Sequence, residues 1–186
     1  MEQDNLTLVL RAMHFAADRH RDQRRKDRAA SPYINHPIAV AEVLCTVGGV
    51  HDPITIAAGI LHDTIEDTET TAEEIRQHFG QDIGAVVEEV TDDKSRPPPE
   101  RKQLQIDEAH LLSDRARLVK LADKICNVRD IIERPPDGWS AERRRGYVAW
   151  ALAVVDRIRG TNRPMEDYFD SLCRRADAHL GPGLSA

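Results

Sequence analysis

Residues 54–67 read ITIAAGILHDTIED, and this stretch determines which fold the remaining sequence must build. Its first part, residues 54–61, carries apolar side chains at helical spacing and predicts a buried helix. Its second part adds an imidazole and three carboxyl groups directly to the end of that helix. Burying such groups is unfavourable unless something compensates their charge. The four groups belong to His62, Asp63, Glu66 and Asp67.

The spacing of these four residues predicts a single functional face. If the helix continues to residue 67, positions 62 and 66 form one row and positions 63 and 67 form the next, so all four groups project from one side. We expect this side to face inward, because it continues an apolar helix. A divalent cation would compensate the buried carboxylates, so the pattern indicates a metal site.

Helical periodicity extends along most of the chain, and signals for strands are nearly absent. The predicted fold is all-α, with about eight to ten helices. We expect one domain over residues 1–180 and a flexible tail over residues 181–186. Three consecutive prolines predict a loop over residues 95–99, and a last helix is predicted over residues 163–178. Helix starts are predicted at Pro37, Asp52, Thr71, Ser113 and Ser140.

The composition excludes several functional classes. The chain has 186 residues, of which 40% are hydrophobic and 31% are charged, and this is typical of one globular domain. It contains no apolar run of about eighteen residues that could span a membrane. The net charge of −6 argues against general nucleic-acid binding. An acidic start without a signal peptide, and three cysteines without a CxxC motif, predict a cytoplasmic protein with free thiols.

Two residues from other parts of the sequence complete a candidate set of metal ligands. His36 stands in YINHPI, residues 33–38, where a helix is predicted to begin, and Asp123 lies on an otherwise apolar helix face. With His62 and Asp63 they offer two imidazoles and two carboxylates. This donor set suits manganese, zinc, iron or nickel, and open coordination positions would permit metal-assisted hydrolysis.

Each of these residues also has an ordinary structural interpretation. A single histidine such as His62 is most often a core or surface residue, and His36 could serve in a cap or a turn. Asp123 could form a salt bridge to Lys120 or Lys124 at helical spacing. The sequence leaves these alternatives open, because it does not show whether the four residues meet in space.

The remaining charged segments have similar alternatives. Glu66 and Asp67 could form an acidic helix end that leads into a solvated loop. Residues 19–28, RHRDQRRKDR, contain six arginines and lysines in ten positions. Such a run is usually a solvated helix end, but it also offers cations to a phosphorylated ligand.

Four motifs, taken together, resemble one family. They are NHP at 35–37, HDTIED at 62–67, EEVTDDK at 88–94 and KLADKICNVRD at 120–130. In this combination they resemble the hydrolase domain of RelA/SpoT proteins. From RRKD at 24–27 to RGTN at 159–162, the chain is also similar in length and motif order to the stand-alone small alarmone hydrolases, a family with metazoan members.

The resemblance implies an HD-domain helical bundle that binds one Mn²⁺ per chain. It further implies that Glu66 and Asp67 orient and activate the attacking water, and the intact HD pair implies an active enzyme. The implied metal ligands are His36, His62, Asp63 and Asp123.

The resemblance also implies a set of substrate contacts. Basic residues of the RRKD motif would hold the nucleotide, and an asparagine one helical turn after the aspartate ligand would contact the ribose. Helix-surface positions are the alternative for the three residues outside that motif. One departure is Pro98, which stands where metazoan relatives carry a lysine, so any contact from that lysine is lost. The implied substrate residues are Arg25, Lys26, Asn127, Arg143 and Tyr147.

The function implied by the resemblance is hydrolysis of ppGpp or pppGpp to GDP or GTP and pyrophosphate. One alternative keeps the site and changes the substrate, for example to the 2′-phosphate of NADPH. Another is a non-catalytic nucleotide or RNA binder that uses residues 19–28, although the net acidity and the intact HD pair argue against it. The expected partner is a guanine nucleotide, without a membrane, and the oligomeric state stays open.

Overall fold

The fold is helical throughout the part of the chain that the structure, a computed structural model, describes, namely residues 2–181 with side chains from residue 4. Ten α-helices and one short 3₁₀ segment, Ala109–Leu111, account for it, and within these residues only isolated β-bridges occur. The all-α prediction is confirmed. Residues 182–186 of the expected tail lie outside the described part. The helices are α1 Glu2–Arg19, α2 Asn35–Thr46, α3 Pro53–Leu61, α4 Thr64–Asp67, α5 Ala72–Phe79, α6 Gln81–Val90, α7 Pro98–Glu108, α8 Asp114–Glu133, α9 Ala141–Asp156 and α10 Arg163–Leu180.

Helix α3 lies at the centre of the bundle. It packs against α1, α2, α6 and α8, and residues 57–61 are all buried. Helix α8 contacts α2, α3, α6, α9 and α10, so α3 and α8 together organise the core. Asp123 lies on α8, and His62 and Asp63 directly follow α3, so the site is built on the most enclosed part of the fold. None of the described helices is long and apolar enough to cross a membrane.

Four of the predicted helix starts are confirmed by their caps. The side chain of Ser113 accepts a hydrogen bond from the backbone N–H of Ala116 at 3.3 Å, and Ser140 accepts one from Arg143 at 3.1 Å. Asp52 and Thr71 cap α3 and α5 in the same way. These bonds satisfy backbone donors that the first helical turn leaves unpaired.

The proline-rich segment differs from its prediction. The loop expected over residues 95–99 ends early, because α7 begins at Pro98 and includes Pro99. Proline is compatible with the first helical turn, where the backbone N–H has no partner within the helix, so prolines there start a helix as readily as they prevent one. Pro37 lies in the first turn of α2 in the same way, as predicted. Helix α7 itself was not predicted from the sequence.

The helix that was expected to run through residue 67 is interrupted. Helix α3 ends at Leu61, a turn follows, and α4 starts at Thr64. Two side chains form hydrogen bonds with backbone carbonyls near the end of α3. The Thr64 hydroxyl donates to the Leu61 carbonyl at 2.7 Å, and Nδ1 of His62 lies 2.8 Å from the Gly59 oxygen. The predicted rows of a continuous helix are thus wrong, although the turn still directs His62 and Asp63 towards the interior.

Candidate metal centre and adjoining cleft

The four predicted metal ligands come from three separate elements. His36 is the second residue of α2, His62 and Asp63 form the turn after α3, and Asp123 lies in the middle of α8. The exposed fraction is 2% for the His36 side chain, 5% for His62, 17% for Asp63 and 13% for Asp123. The fold therefore encloses both imidazoles and leaves one side of the carboxylates open.

The functional atoms of these residues converge on one point. Nε2 of His36 lies 3.2 Å from Oδ1 of Asp123 and 3.7 Å from Oδ2 of Asp63. Nε2 of His62 lies 3.0 Å from Oδ2 of Asp63 and 3.8 Å from Oδ1 of Asp123. One ligand atom from each of His36, His62 and Asp123 falls within 4.8 Å of the others, as a shared metal ion would require.

The electrostatics of the cluster favour an added positive charge. Burial disfavours a charged imidazole at His62, yet Asp63 and Asp123 outweigh burial and raise the pKa of His62 to about 10. Burial opposes the ionised form of Asp63 as well, but the two histidines lower the pKa of Asp63. At His36 burial prevails and lowers its pKa. Two imidazoles and two carboxylates with this demand for charge fit a divalent cation.

Neighbouring groups fix the orientation of the candidate ligands. The Gly59 carbonyl accepts the Nδ1 proton of His62, which leaves Nε2 of His62, itself without a hydrogen bond, to face the cluster. The hydroxyl of Tyr33 donates to Oδ2 of Asp63. The Nζ atom of Lys124 lies 3.1 Å from Oδ2 of Asp123, the contact expected if Asp123 were only a salt-bridge partner.

Glu66 lies at the open side of the cluster. Its Oε2 accepts a hydrogen bond from the Asp92 backbone N–H at 3.3 Å, and its Oε1 accepts one from Arg101 at 3.3 Å. Burial, together with the negative charges of Asp92 and Asp63, raises the pKa of Glu66 to about 7. A carboxyl group with a pKa near neutrality can accept a proton from water and release it again.

Asp67 also lines the opening over the cluster. Its Oδ2 accepts a hydrogen bond from the Gln23 amide at 3.0 Å, and its Oδ1 pairs with Lys94. Both predicted acidic residues are thus held by side chains from distant segments. The expectation of a solvated acidic helix end does not describe them, because Glu66 and Asp67 are only partly exposed.

A cleft of about 390 Å³ adjoins the metal centre and contains most predicted substrate residues. Arg25, Lys26, Asn127 and Tyr147 line it, and all but Arg25 also line the opening over the cluster. The Arg25 guanidinium donates to Asp130 at 2.8 Å and to the Asn127 amide oxygen at 3.3 Å. The cleft therefore presents cations and an amide next to the candidate metal ligands.

Arg143 is placed differently from the other predicted contacts. It does not line the cleft; its guanidinium carbon lies 4.2 Å from the ring centroid of Trp139, which does. Tyr33, Gln23 and Arg101 were not predicted from the sequence. The motif EEVTDDK gave a signal for Lys94, but Arg101 gave none, because its helix was not predicted.

The chain is similar to proteins of a known family. The model of the HD domain family matches residues 12–153. The chain is 52% identical to guanosine-3′,5′-bis(diphosphate) 3′-pyrophosphohydrolase MESH1 of Xenopus tropicalis, over 89% of this chain and 92% of that protein. It is 48% identical to the Homo sapiens protein of the same name, over 90% of this chain and 93% of that protein.

Solved structures are similar as well. One is that of a metazoan ortholog of SpoT, a protein described as hydrolysing ppGpp and playing a role in starvation responses; it matches with a TM-score of 0.88 and 44% identity over 90% of this chain and 94% of that chain. A second, lmo0812 from Listeria monocytogenes, matches with a TM-score of 0.63 and 25% identity over 78% of this chain and 98% of that one.

Proposed function

Because this chain belongs to the HD domain family, we propose that it is a metal-dependent guanosine-3′,5′-bis(diphosphate) 3′-pyrophosphohydrolase. The bond between phosphorus and the ribose 3′ oxygen breaks, water supplies the new oxygen, and GDP or GTP leaves together with pyrophosphate. The similarity to the MESH1 proteins over about nine tenths of both chains supports this reaction. The observation that carries it in the structure is the convergence of His36, His62, Asp63 and Asp123 beside a cationic cleft.

Mn²⁺ is the ion that we propose for the centre. His36, His62, Asp63 and Asp123 would hold it, because their donor atoms already face one another across 3.0–3.8 Å. A divalent ion bound there would supply Lewis-acid polarisation of phosphoryl oxygens and an acidified water.

We assign the proton transfers to Glu66 and Asp67. Glu66 is half-buried, faces the opening and has a pKa near neutrality, so its Oε atoms can take the proton from the attacking water. Asp67 faces the same opening and is oriented by Gln23, so it would position that water rather than bind the nucleotide.

The nucleotide would occupy the adjoining cleft. Arg25 offers a planar guanidinium that matches phosphate oxygens and can stack on a purine, and Asp130 holds it in place. Lys26 and Asn127 line both the cleft and the opening, and Asn127 would contact the ribose. Tyr147 forms part of the wall, and Arg143 would reach the nucleotide only from the outer side of Trp139.

We also propose the domain extent and the cellular location of the protein. We infer one HD-type domain over residues 1–180. Cytoplasmic location fits the three cysteines, which are unpaired, because disulfides are rare in that reducing compartment.

Product analysis with purified protein tests the function. The protein is freed of metal with a chelator and then incubated with ppGpp, with and without Mn²⁺, beside a parallel reaction with NADPH. We expect GDP and pyrophosphate in equal amounts only when Mn²⁺ is present. Release of phosphate from NADPH without turnover of ppGpp would support the same metal site but a different substrate. Salt-dependent binding of RNA without turnover of either nucleotide would support a non-catalytic binding protein.

A further inference from the structure

Two cations outside the predicted site contact the two acidic residues at its opening. Arg101 of α7 donates to Glu66 at 3.3 Å, and Lys94, just before α7, pairs with Asp67. Both side chains line the opening above the metal centre, as does Lys26. None of the nucleotide contacts proposed above uses Lys94 or Arg101.

Arg101 keeps most of its hydrogen-bonding capacity. A guanidinium has five N–H donors, whereas Arg101 uses a single 3.3 Å contact to Glu66, and its buried Nε has no partner in the described residues. Its side chain is 22% exposed. A planar fork that is partly buried and weakly engaged is suited to two oxygens of one phosphate.

The position of Arg101 is fixed although α7 is lightly packed. The Trp150 indole N–H donates to the Lys102 carbonyl at 3.0 Å, and the Gln105 amide donates to Asp92 at 2.6 Å. These bonds anchor the helical turn of α7 that directly follows Arg101. They hold the guanidinium at the rim of the opening, beside the catalytic carboxylate rather than over the cleft.

The charges around the opening show what this rim can bind. Four carboxylates and three cations line it, so a divalent metal ion changes a small negative excess into a small positive one. The cleft with Arg25 lies on one side of the metal centre, and Arg101 and Lys94 lie beside the two catalytic acids. A phosphate that extends beyond the reacting phosphorus, away from the nucleoside, would meet these two cations.

We propose that Arg101 and Lys94 bind the outer phosphate of the 3′-pyrophosphate and thereby select a pyrophosphate over a monophosphate. This inference rests on the proposed function. It assigns specificity to the segment from Lys94 to Arg101. The alternative is that Arg101 acts only as a positioning residue that holds Glu66.

Two nucleotides that differ only in the outer phosphate separate these roles. Turnover of ppGpp and of its 3′-monophosphate analogue is measured with Mn²⁺ for the wild type and for Arg101→Gln, Lys94→Gln and Arg101→Lys. Arg96→Gln is the matched control, because Arg96 lies in the same segment, pairs with Asp93 and Glu100 at the surface and does not line the opening. Thermal melting of each variant confirms its fold.

We expect Arg101→Gln and Lys94→Gln each to lower kcat/KM for ppGpp by about ten- to hundredfold, relative to the change for the monophosphate analogue. Arg101→Lys should recover part of the loss, since it keeps the charge but not the fork. Arg96→Gln should leave kcat/KM unchanged for both nucleotides. An equal loss for both nucleotides would overturn the inference and leave Arg101 as a positioning residue.

Binding without turnover keeps this test independent of the proposed function. Calorimetry on the Mn²⁺-loaded protein measures the affinity for non-hydrolysable analogues of ppGpp and of the monophosphate, in which a methylene group replaces the ribose 3′ oxygen. Wild-type protein should prefer the ppGpp analogue, and Arg101→Gln should remove that preference, even if the enzyme's true substrate is a different nucleotide. A wild type that fails to distinguish the two nucleotides, or a variant that retains the preference, refutes the selection by Arg101. Absent ppGpp turnover alone would refute only the proposed function.

Discussion

The Tyr33 hydroxyl donates a hydrogen bond to Oδ2 of Asp63, the same oxygen that lies 3.0 Å from Nε2 of His62. Tyr33 therefore orients a candidate metal ligand through the atom that faces the cluster. Partners of this kind fix ligand geometry, and their loss typically weakens metal affinity.

Tyr33→Phe should weaken Mn²⁺ binding by about ten- to hundredfold, because Asp63 loses its only hydrogen-bonding hydroxyl among the described residues. Titration of the metal-free protein with Mn²⁺ measures the change. Tyr168→Phe, on α10 and absent from the residues that line the opening, serves as the control. Unchanged Mn²⁺ affinity in Tyr33→Phe would mean that Asp63 needs no such support.

Asp63→Asn should abolish turnover, because an amide does not replace the carboxylate charge at the centre. It should also abolish stabilisation by the metal. For the wild type, Mn²⁺ at about one hundred times its Kd should add roughly 2.7 kcal/mol, or roughly 5–10 °C in Tm. Differential scanning calorimetry with and without chelator measures both proteins. A variant that still responded to Mn²⁺ would remove Asp63 from the ligand set.

Glu66 should determine the acid side of the pH profile. Its pKa in the protein is raised from 4.5 to about 7, and only the ionised form accepts a proton, so kcat/KM should rise with pH. A bound cation favours the carboxylate, which places this limb between 4.5 and about 7 in the loaded enzyme. Glu66→Gln should remove the limb and lower kcat by about 10²–10⁴. A limb that persisted in Glu66→Gln would assign it to another group.

Arg25→Gln should raise KM for ppGpp by about ten- to hundredfold, with a smaller effect on kcat, because the cleft loses a charged donor that would bind substrate and transition state alike. Steady-state kinetics separate the two constants. Arg28→Gln is the control, since Arg28 is exposed and does not line the cleft. If kcat fell while KM stayed constant, Arg25 would act on the reacting centre.

Gly59→Ala should destabilise the fold by about 1–3 kcal/mol through overpacking. A Cβ at position 59 of α3 would lie 2.8 Å from Cδ1 of the buried Leu44 of α2. The carbonyl of Gly59 also orients His62, so a shift of α3 would reach the candidate metal centre. Gly146→Ala is the matched control in α9: nothing lies within 4 Å of its Cβ, and alanine there should stabilise by about 1 kcal/mol. Urea denaturation measures both variants.

Local sequence signals predicted most of the helices, but not the whole site. Ser113 and Ser140 were recognisable as caps because a cap depends only on residues within one turn. The adjacent pair His62 and Asp63 indicated a metal site for the same reason. Pro98 misled the prediction, because proline both ends helices and begins them, and the outcome depends on whether a helix follows.

Long-range contacts could not be predicted from composition and spacing. Arg101 meets Glu66 only because α7 folds back over the opening. Tyr33 meets Asp63 because two loops converge after α1 and α3. Residue type and context made His36 and Asp123 candidate ligands, but only the resemblance to a family implied that they meet His62 and Asp63, because separation in sequence gives no physical signal of proximity.

Helix α7 buries no side chain among the described residues, in contrast to α8, where ten are buried. Hydrogen bonds, ring contacts and the partly buried Ile106 hold it in place, so its local opening costs less free energy than unfolding of the core. Its backbone amides should exchange with deuterated solvent well before those of α8. Local opening of α7 would withdraw Arg101 from Glu66 while α2, α3 and α8 keep their arrangement.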